Sequence, residues 1–231
     1  RGGKVWIVED GAKKPQPFLD ISAEVGGWRD YGLLGFALHP DFVHTGHVYL
    51  LYVVDHHHLT KFGTPAYDPG ANEYFQATIG RITRYTAQLP PGEEHYNHAT
   101  SNDPSTRKVL VGESIATGFP ILHQSHGIGT LVFGTDGTLL ASCGDGASYS
   151  GVDTGGPQGS QGTGSYYAQG LTEGIIRTKE DVGSYRSQLV DSLNGKVVWS
   201  RKHGQGYEIG LQFDDTDQLY CLRMIEQVSH R

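Results

Sequence analysis

The sequence predicts an all-β chain of the β-propeller class, present as an incomplete set of about two to four blades with long inserted loops. Three observations carry this reading. One hairpin pattern recurs three times. A second strand pattern lies between the copies. Glycine occupies 33 of 231 positions, about twice its usual share of roughly 7%. Such an excess marks tight turns and close backbone approaches, which a β chain needs more than a helical one.

Taken in order, Gly3-Lys4-Val5-Trp6-Ile7-Val8 reads as an outer strand. Gly35-Phe36-Ala37-Leu38-His39-Pro40-Asp41-Phe42, followed by Gly46-His47-Val48-Tyr49-Leu50, is the first hairpin copy. Residues 48–54 form the longest apolar run, which suits a buried strand and is far too short to span a membrane. Gly80-Arg81-Ile82-Thr83-Arg84-Tyr85 alternates in part and reads as an outer strand exposed on one side. The second hairpin copy covers residues 129–140, with Asp136-Gly137 as a strong turn signal. Gly195-Lys196-Val197-Val198-Trp199-Ser200 repeats the outer strand, introduced by Asn194-Gly195. The third hairpin copy covers residues 210–220. The anchors Phe36, Phe133 and Phe213 lie farther apart than one blade of about 40–50 residues. Residues 55–79 and 146–192 are therefore read as insertions, with a helical turn or two only near residues 179–190.

Composition excludes several function classes. With 18 Lys+Arg against 25 Asp+Glu, the formal charge is −7, whereas a nucleic-acid binder needs clustered cations. Two cysteines, Cys143 and Cys221, make neither a disulfide framework nor a four-thiolate zinc site, and read as small buried hydrophobes. No signal peptide is visible in the sequence.

The segment from Gly118 through His126 to the second hairpin, ending in Gly144-Asp145-Gly146, carries the chemistry. His126 sits at the start of an inner strand and Asp145 at the exit of its partner. In a tight hairpin these two positions lie side by side. A carboxylate beside an imidazole fixes its tautomer and stabilises its protonated form, and such a histidine acts as a general base near neutrality. A purely structural His–Asp pair fits the same residues.

Gly32-Leu33-Leu34-Gly35-Phe36-Ala37-Leu38-His39-Pro40-Asp41-Phe42 resembles the GLLGFAxHPDF signature of the glucose/sorbosone dehydrogenase family, which includes soluble aldose dehydrogenases dependent on pyrroloquinoline quinone (PQQ). Residues 126–146 resemble its HxxGxLxFGxDGxLxxxxGDG stretch. Arg186-Ser187-Gln188-Leu189 with Leu193-Asn194-Gly195-Lys196-Val197 resembles SQxxxSLNGKVLR. The resemblance implies a segment of a six-bladed propeller over residues 1–198; residues 199–231 match no family motif and read as a divergent or truncated C-terminal hairpin of the same domain. It implies His126 as the base that takes the proton from the anomeric hydroxyl of an aldose, and Asp145 as its orienter. PQQ and calcium are the implied cofactors, with an external electron acceptor and a periplasmic or secreted location. Asp30 and Ser125 fall at cofactor-side positions where the family carries glutamine and aspartate. The RNP segment of the family, whose arginine contacts the quinone, does not occur in these 231 residues. A non-catalytic carbohydrate- or protein-binding propeller is the alternative, because fold does not imply function.

Other signals read more plainly. His56-His57-His58 and the pairs His44/His47, His95/His98 and His123/His126 fall in or near predicted loops and read as surface or loop-packing residues. The glycine-rich residues 155–164 lack a following Gly-Lys-Ser/Thr and read as a rim loop. Asp214, Asp215 and Asp217 read as solvated turn residues. Ser125 lacks the Gly-x-Ser-x-Gly elbow of a nucleophile. Trp6 and Trp199 read as blade packing, and Trp28 as the better candidate to stack on a sugar.

Overall fold

The computed structural model describes residues 1–125, 127–143, 164–176, 200–203 and 206–209. The apolar run becomes β6 (His47–Val53), buried along nearly its whole length. A continuous run of branched and aromatic residues has no solvent face, so the strand must be covered on both sides. On one edge it pairs antiparallel with β5 (Leu33–Leu38), Phe36 opposite Leu50. On the other it pairs with β7 (Thr78–Ala87), Leu50 opposite Thr83. The outer edge of β7 takes β8 (Asn102–Val111) and, near its start, β9 (Phe119–Ile121). Along β5 the faces alternate: Gly35 and Ala37 are buried, Phe36 and Leu38 exposed.

A second antiparallel pair, β10 (Ile128–Phe133) and β11 (Leu139–Cys143), closes through the turn that Asp136-Gly137 predicts. The Gly134 amide donates to the Thr138 carbonyl at 2.7 Å, and the Thr138 amide to Asp136 Oδ1 at 3.0 Å. Gly137 takes φ 82°, a value that favours glycine. The hairpin seats on the first sheet at two glycines. A Cβ on Gly35 would lie 2.8 Å from Leu51 Cβ and 3.0 Å from the Leu131 amide nitrogen. A Cβ on Gly80 would lie 2.6 Å from Ile128 Cγ2. The chain is thus mostly antiparallel strand with a few short helices and, among the described residues, no closed barrel, which is consistent with part of a propeller. Cys143 is buried, as expected of a small hydrophobe.

Four expectations need correction. The stretch 80–85 is interior: β7 is buried almost throughout, because β8, polar and half exposed, takes the outer place. The first outer strand is broken into short pieces. There β1 (Lys4–Val5) pairs with β4 (Leu19–Asp20), and β2 (Val8–Glu9) pairs with β3 (Ala12–Lys13). The Asp10-Gly11 turn, with φ 50° and 77°, folds the chain back at once. Residues 55–79 are not simply a loop, since they contain helix α2 (His56–Lys61), while a shorter helix α1 (Phe42–Thr45) joins β5 to β6. Helix α3 (Gly164–Glu173) arises inside the segment read as an insertion without periodicity. Its packing decides against its weak propensity: a Cβ on Gly170 would lie 2.9 Å from Leu122 Cδ2, and Tyr166 is buried. A further hairpin, β12 (Ser200–His203) with β13 (Gly206–Ile209), opens the C-terminal stretch. The third hairpin copy, the strand at 195–199 and the turn near 179–190 lie outside the described residues.

One buried carboxylate ties the sheet to the N-terminal segment. Glu24 Oε1 accepts from the Tyr52 hydroxyl at 2.7 Å, from Arg107 Nη2 at 2.8 Å and from Arg81 Nη1. Arg81 Nε also donates to the Gly112 carbonyl at 2.6 Å. Burial pushes the Glu24 carboxyl up, but Arg81 and Arg107 outweigh it and hold the group below the usual glutamate range. Burial, with Glu24 alongside, pushes the Tyr52 phenol well up.

Glu24→Ala leaves Arg81 buried without its carboxylate, and urea denaturation should show a loss of about 3–5 kcal/mol. The lowered Glu24 group contributes stability above its unfolded titration range and loses it as the pH falls through the folded one. In wild type the urea midpoint should therefore drop below about pH 4, and Glu24→Gln should flatten that limb. Gly35→Ala should cost about 1–3 kcal/mol by displacing Leu131 or Leu51. Gly2→Ala, with nothing within 4 Å of the added carbon, should leave the midpoint unchanged.

Candidate functional site

The register brings one end of each strand pair together. Leu33 at the start of β5 lies opposite Tyr52 near the end of β6, and Gly80 near the start of β7 lies opposite Val53. Thr78 lies opposite Ile121 at the end of β9, and Ile128 opposite Cys143. Residues 26–32, 54–77, 122–125 and 127 therefore form one rim. The rim is stitched by backbone: the Asp30 amide donates to the Gln124 carbonyl at 3.2 Å, and the Gly26 amide to the Val53 carbonyl at 3.0 Å. The Tyr31 hydroxyl donates to the His123 carbonyl at 3.3 Å. Burial, with Tyr166 nearby, pushes the Tyr31 phenol far up, so it stays a donor.

Asp30 and Ser125 stand on these adjoining loops. Asp30 is exposed, while Ser125 is buried with its hydroxyl 2.9 Å from His123 Nδ1. The Tyr166 ring of α3 stands edge-on to His123 at 5.9 Å. His126 and Asp145 lie outside the described residues. The described hairpin pairs Ile128 with Cys143, each two residues from one of those positions.

Trp28 gathers an aromatic group on the same rim. Its ring lies 5.1 Å from Tyr31, 5.3 Å from Tyr74 and 4.6 Å from Phe75. Tyr74 and Phe75 are 48% and 61% exposed, so the group presents aromatic surface to solvent. Phe75 holds φ 59° and Arg29 φ 51°, values uncommon for residues with side chains, and a bulky residue there carries local strain.

Behind the aromatics lies a polar cluster that the sequence reading missed. Asp55 caps α2: its Oδ1 accepts from the His57 amide at 2.9 Å and the Glu73 amide at 3.2 Å. Its Oδ2 is buried without a hydrogen-bond partner, and burial pushes its carboxyl up. Gln124 Oε1 is likewise buried and unpartnered. His56 and His57 are buried in α2, which leaves the packing reading of the two and removes the surface one. The Asp68 amide donates to His57 Nε2 at 3.0 Å, so the His57 proton sits on Nδ1, which faces Glu73 at 3.4 Å. His56 Nδ1 contacts Glu73, and its Nε2 lies 2.9 Å from Glu173 of α3. Burial pushes the Glu73 carboxyl up, but the hydrogen bonds from His56 and His57 outweigh it and hold it below the usual range. Asp55, at the end of a buried strand and before an aromatic-polar run, is the signal that would have revealed α2. Glu173 is 117 residues from His56, and no local pattern links them. Among the described residues, no group of three or more His, Cys, Asp or Glu is arranged to hold a metal ion. Nor is any described helix long and apolar enough to cross a membrane.

Two plant proteins share sequence with this chain. It is 26% identical to the HIPL2 protein of Arabidopsis thaliana over 167 residues, which is 64% of this chain and 23% of that one. It is 27% identical to the HIPL1 protein of the same plant over 139 residues, 56% of this chain and 19% of the other. The chain thus spans about a quarter or less of the curated relatives it matches. No protein-family model matches it. Among solved structures, a Thermus thermophilus protein provisionally described as an oxidoreductase (glucose dehydrogenase) is 22% identical, with TM-score 0.41, covering 63% of this chain and 32% of that one.

Asp55→Ala removes the cap of α2 and the brace on Glu73, and thermal unfolding should show a loss of about 1–2 kcal/mol. Asp55→Asn keeps the accepting oxygen and should cost less than half as much.

Proposed function

We propose that this chain is part of a sugar dehydrogenase-like propeller that oxidises an aldose in its complete form. The observation that carries the reading is the rim: the loops bearing Asp30 and Ser125 are joined by a backbone hydrogen bond at the strand ends that lead to His126 and Asp145. In this reading His126 takes the proton of the anomeric hydroxyl, and Asp145 orients its imidazole. Trp28, with Tyr74 and Phe75 beside it, offers an aromatic face to the sugar ring.

PQQ is the proposed hydride acceptor, with calcium on its acidic groups. The described rim does not by itself fit such an anion. Its described residues carry Asp30, Asp55, Asp68 and Glu73, with Glu173 of α3 beside them, against the cations Arg29 and Lys61. The cationic partners of the quinone are therefore assigned outside the described residues. A carbohydrate-binding role without turnover is favoured by one observation: the Ser125 hydroxyl is buried against His123.

Sugar-dependent dye reduction, with PQQ and calcium added, tests the choice. The dehydrogenase reading expects turnover that falls by a factor of about 100 or more in His126→Ala, while Trp28→Ala raises KM with little change in kcat. Sugar binding without dye reduction in wild type, over a broad aldose panel, selects the binding module.

A further inference from the structure

We propose that His56 is a positioning residue that latches α3 to the rim, and that a proton on its imidazole holds the latch closed. This inference stands apart from the proposed function. Both ring nitrogens of the buried His56 face carboxylates: Nδ1 contacts Glu73 and Nε2 lies 2.9 Å from Glu173. A neutral imidazole has one N–H, so one of these contacts would set a lone pair against an anionic oxygen. The imidazolium donates to both.

Gln169 removes the remaining ambiguity. Its Oε1 accepts from the Ala77 amide at 2.8 Å, which fixes the orientation of its own amide. Its Nε2 then donates to Gln76 Oε1 at 2.7 Å and Glu173 Oε1 at 2.9 Å. Both amide hydrogens are spent, so none is left for His56 Nε2, which lies 3.3 Å from Gln169 Nε2. His56 Nε2 must therefore carry its own hydrogen.

The titratable groups around the ring come from two directions. Asp55, His57 and Glu73 belong to the connection between β6 and β7, and Glu173 to α3. Losing the His56 proton leaves Glu73 and Glu173 facing one another across a neutral ring. Repulsion then works on the α3 side, whose other side-chain hydrogen bonds to this connection are those of Gln169 to Ala77 and Gln76, while Glu73 is held by His57 and by its amide bond to Asp55. The opening reaches the candidate site, since α3 carries Tyr166 against His123 and Gly170 against Leu122. A closed latch thus braces the loop that bears Ser125.

The test is amide hydrogen exchange across residues 164–176 between about pH 5.5 and 8.5, corrected for the intrinsic pH dependence of exchange. In wild type, protection of α3 should fall by about tenfold or more as the pH rises, while β6 protection stays constant. His56→Gln should give weaker α3 protection that no longer follows pH. Glu173→Gln donates to a neutral ring, so it should keep α3 protected at high pH and serves where His56→Gln fails to fold. The 15N shifts of His56 supply an independent reading and should report an imidazolium while α3 is protected. A wild-type α3 whose protection ignores pH, or a neutral His56 ring in the protected state, overturns the proposal. The same holds if His56→Gln or Glu173→Gln keeps the full wild-type pH dependence.

Discussion

The buried carboxylate of Glu24 is the constraint on which the described fold depends. Its partners come from three strands of one sheet, Tyr52 on β6, Arg81 on β7 and Arg107 on β8. Its own backbone accepts from the Asp55 amide, at the cap of α2. Two guanidinium groups on one buried anion leave no cheap alternative: removing the anion strands a cation, and removing Arg81 strands the anion. The network therefore fixes the N-terminal segment against the sheet, and with it residues 26–32 on the rim. The same contact explains why β7 carries arginines yet lies inside. Arg81 is satisfied there by Glu24 and the Gly112 carbonyl, so a charged residue in that strand does not mark a solvent face.

The rim inherits its order from these contacts. β6 ends in Val53, and Asp55 starts α2 directly beyond it. The short helix turns His56 and His57 inward and leaves Glu73 to be pulled in by the Asp55 oxygen that caps it. On the neighbouring loop, His123 meets Ser125 and Tyr166. α3 touches both groups, through Gln169 and Glu173 on one side and Tyr166 on the other. It is the element through which the polar cluster and the 122–125 loop are coupled, although it lies far from both in sequence.

What was legible in the sequence follows from the range of the forces involved. β6 was readable because seven apolar residues in a row encode burial on both faces. The β10–β11 turn was readable because Asp136-Gly137 encodes its own backbone geometry. The placement of residues 80–85 was not, because its exposure depends on β8, whose polar sequence carries no strand period. α3 was not, because its packing on Leu122 and its bonds to Ala77 and Gln76 are tertiary. At the site, the loops bearing Asp30 and Ser125 meet through one backbone hydrogen bond, a contact no motif encodes. The acid–histidine cluster behind them was invisible, since its halves are brought together only by the fold.

The histidine run makes the point about chemistry most sharply. Three identical side chains stand in succession, and the structure gives each a different environment. His57 accepts a backbone hydrogen on Nε2, which leaves it neutral with its proton on Nδ1. His58 stacks on Phe62, with Nδ1 2.9 Å from the Tyr67 hydroxyl, and burial pushes it toward the neutral form. His56 faces a carboxylate at each nitrogen. Helical geometry separates them: consecutive residues point about 100° apart, so neighbours in sequence enter different surroundings. A run of histidines suggests a shared metal, but a shared ion needs lone pairs converging on one point. Here the Nδ1 atoms of His56 and His57 meet the two oxygens of one carboxylate, Glu73, while His58 turns to Tyr67 and Phe62, so among the described residues the run fastens the rim through side-chain partners and forms no metal-binding group.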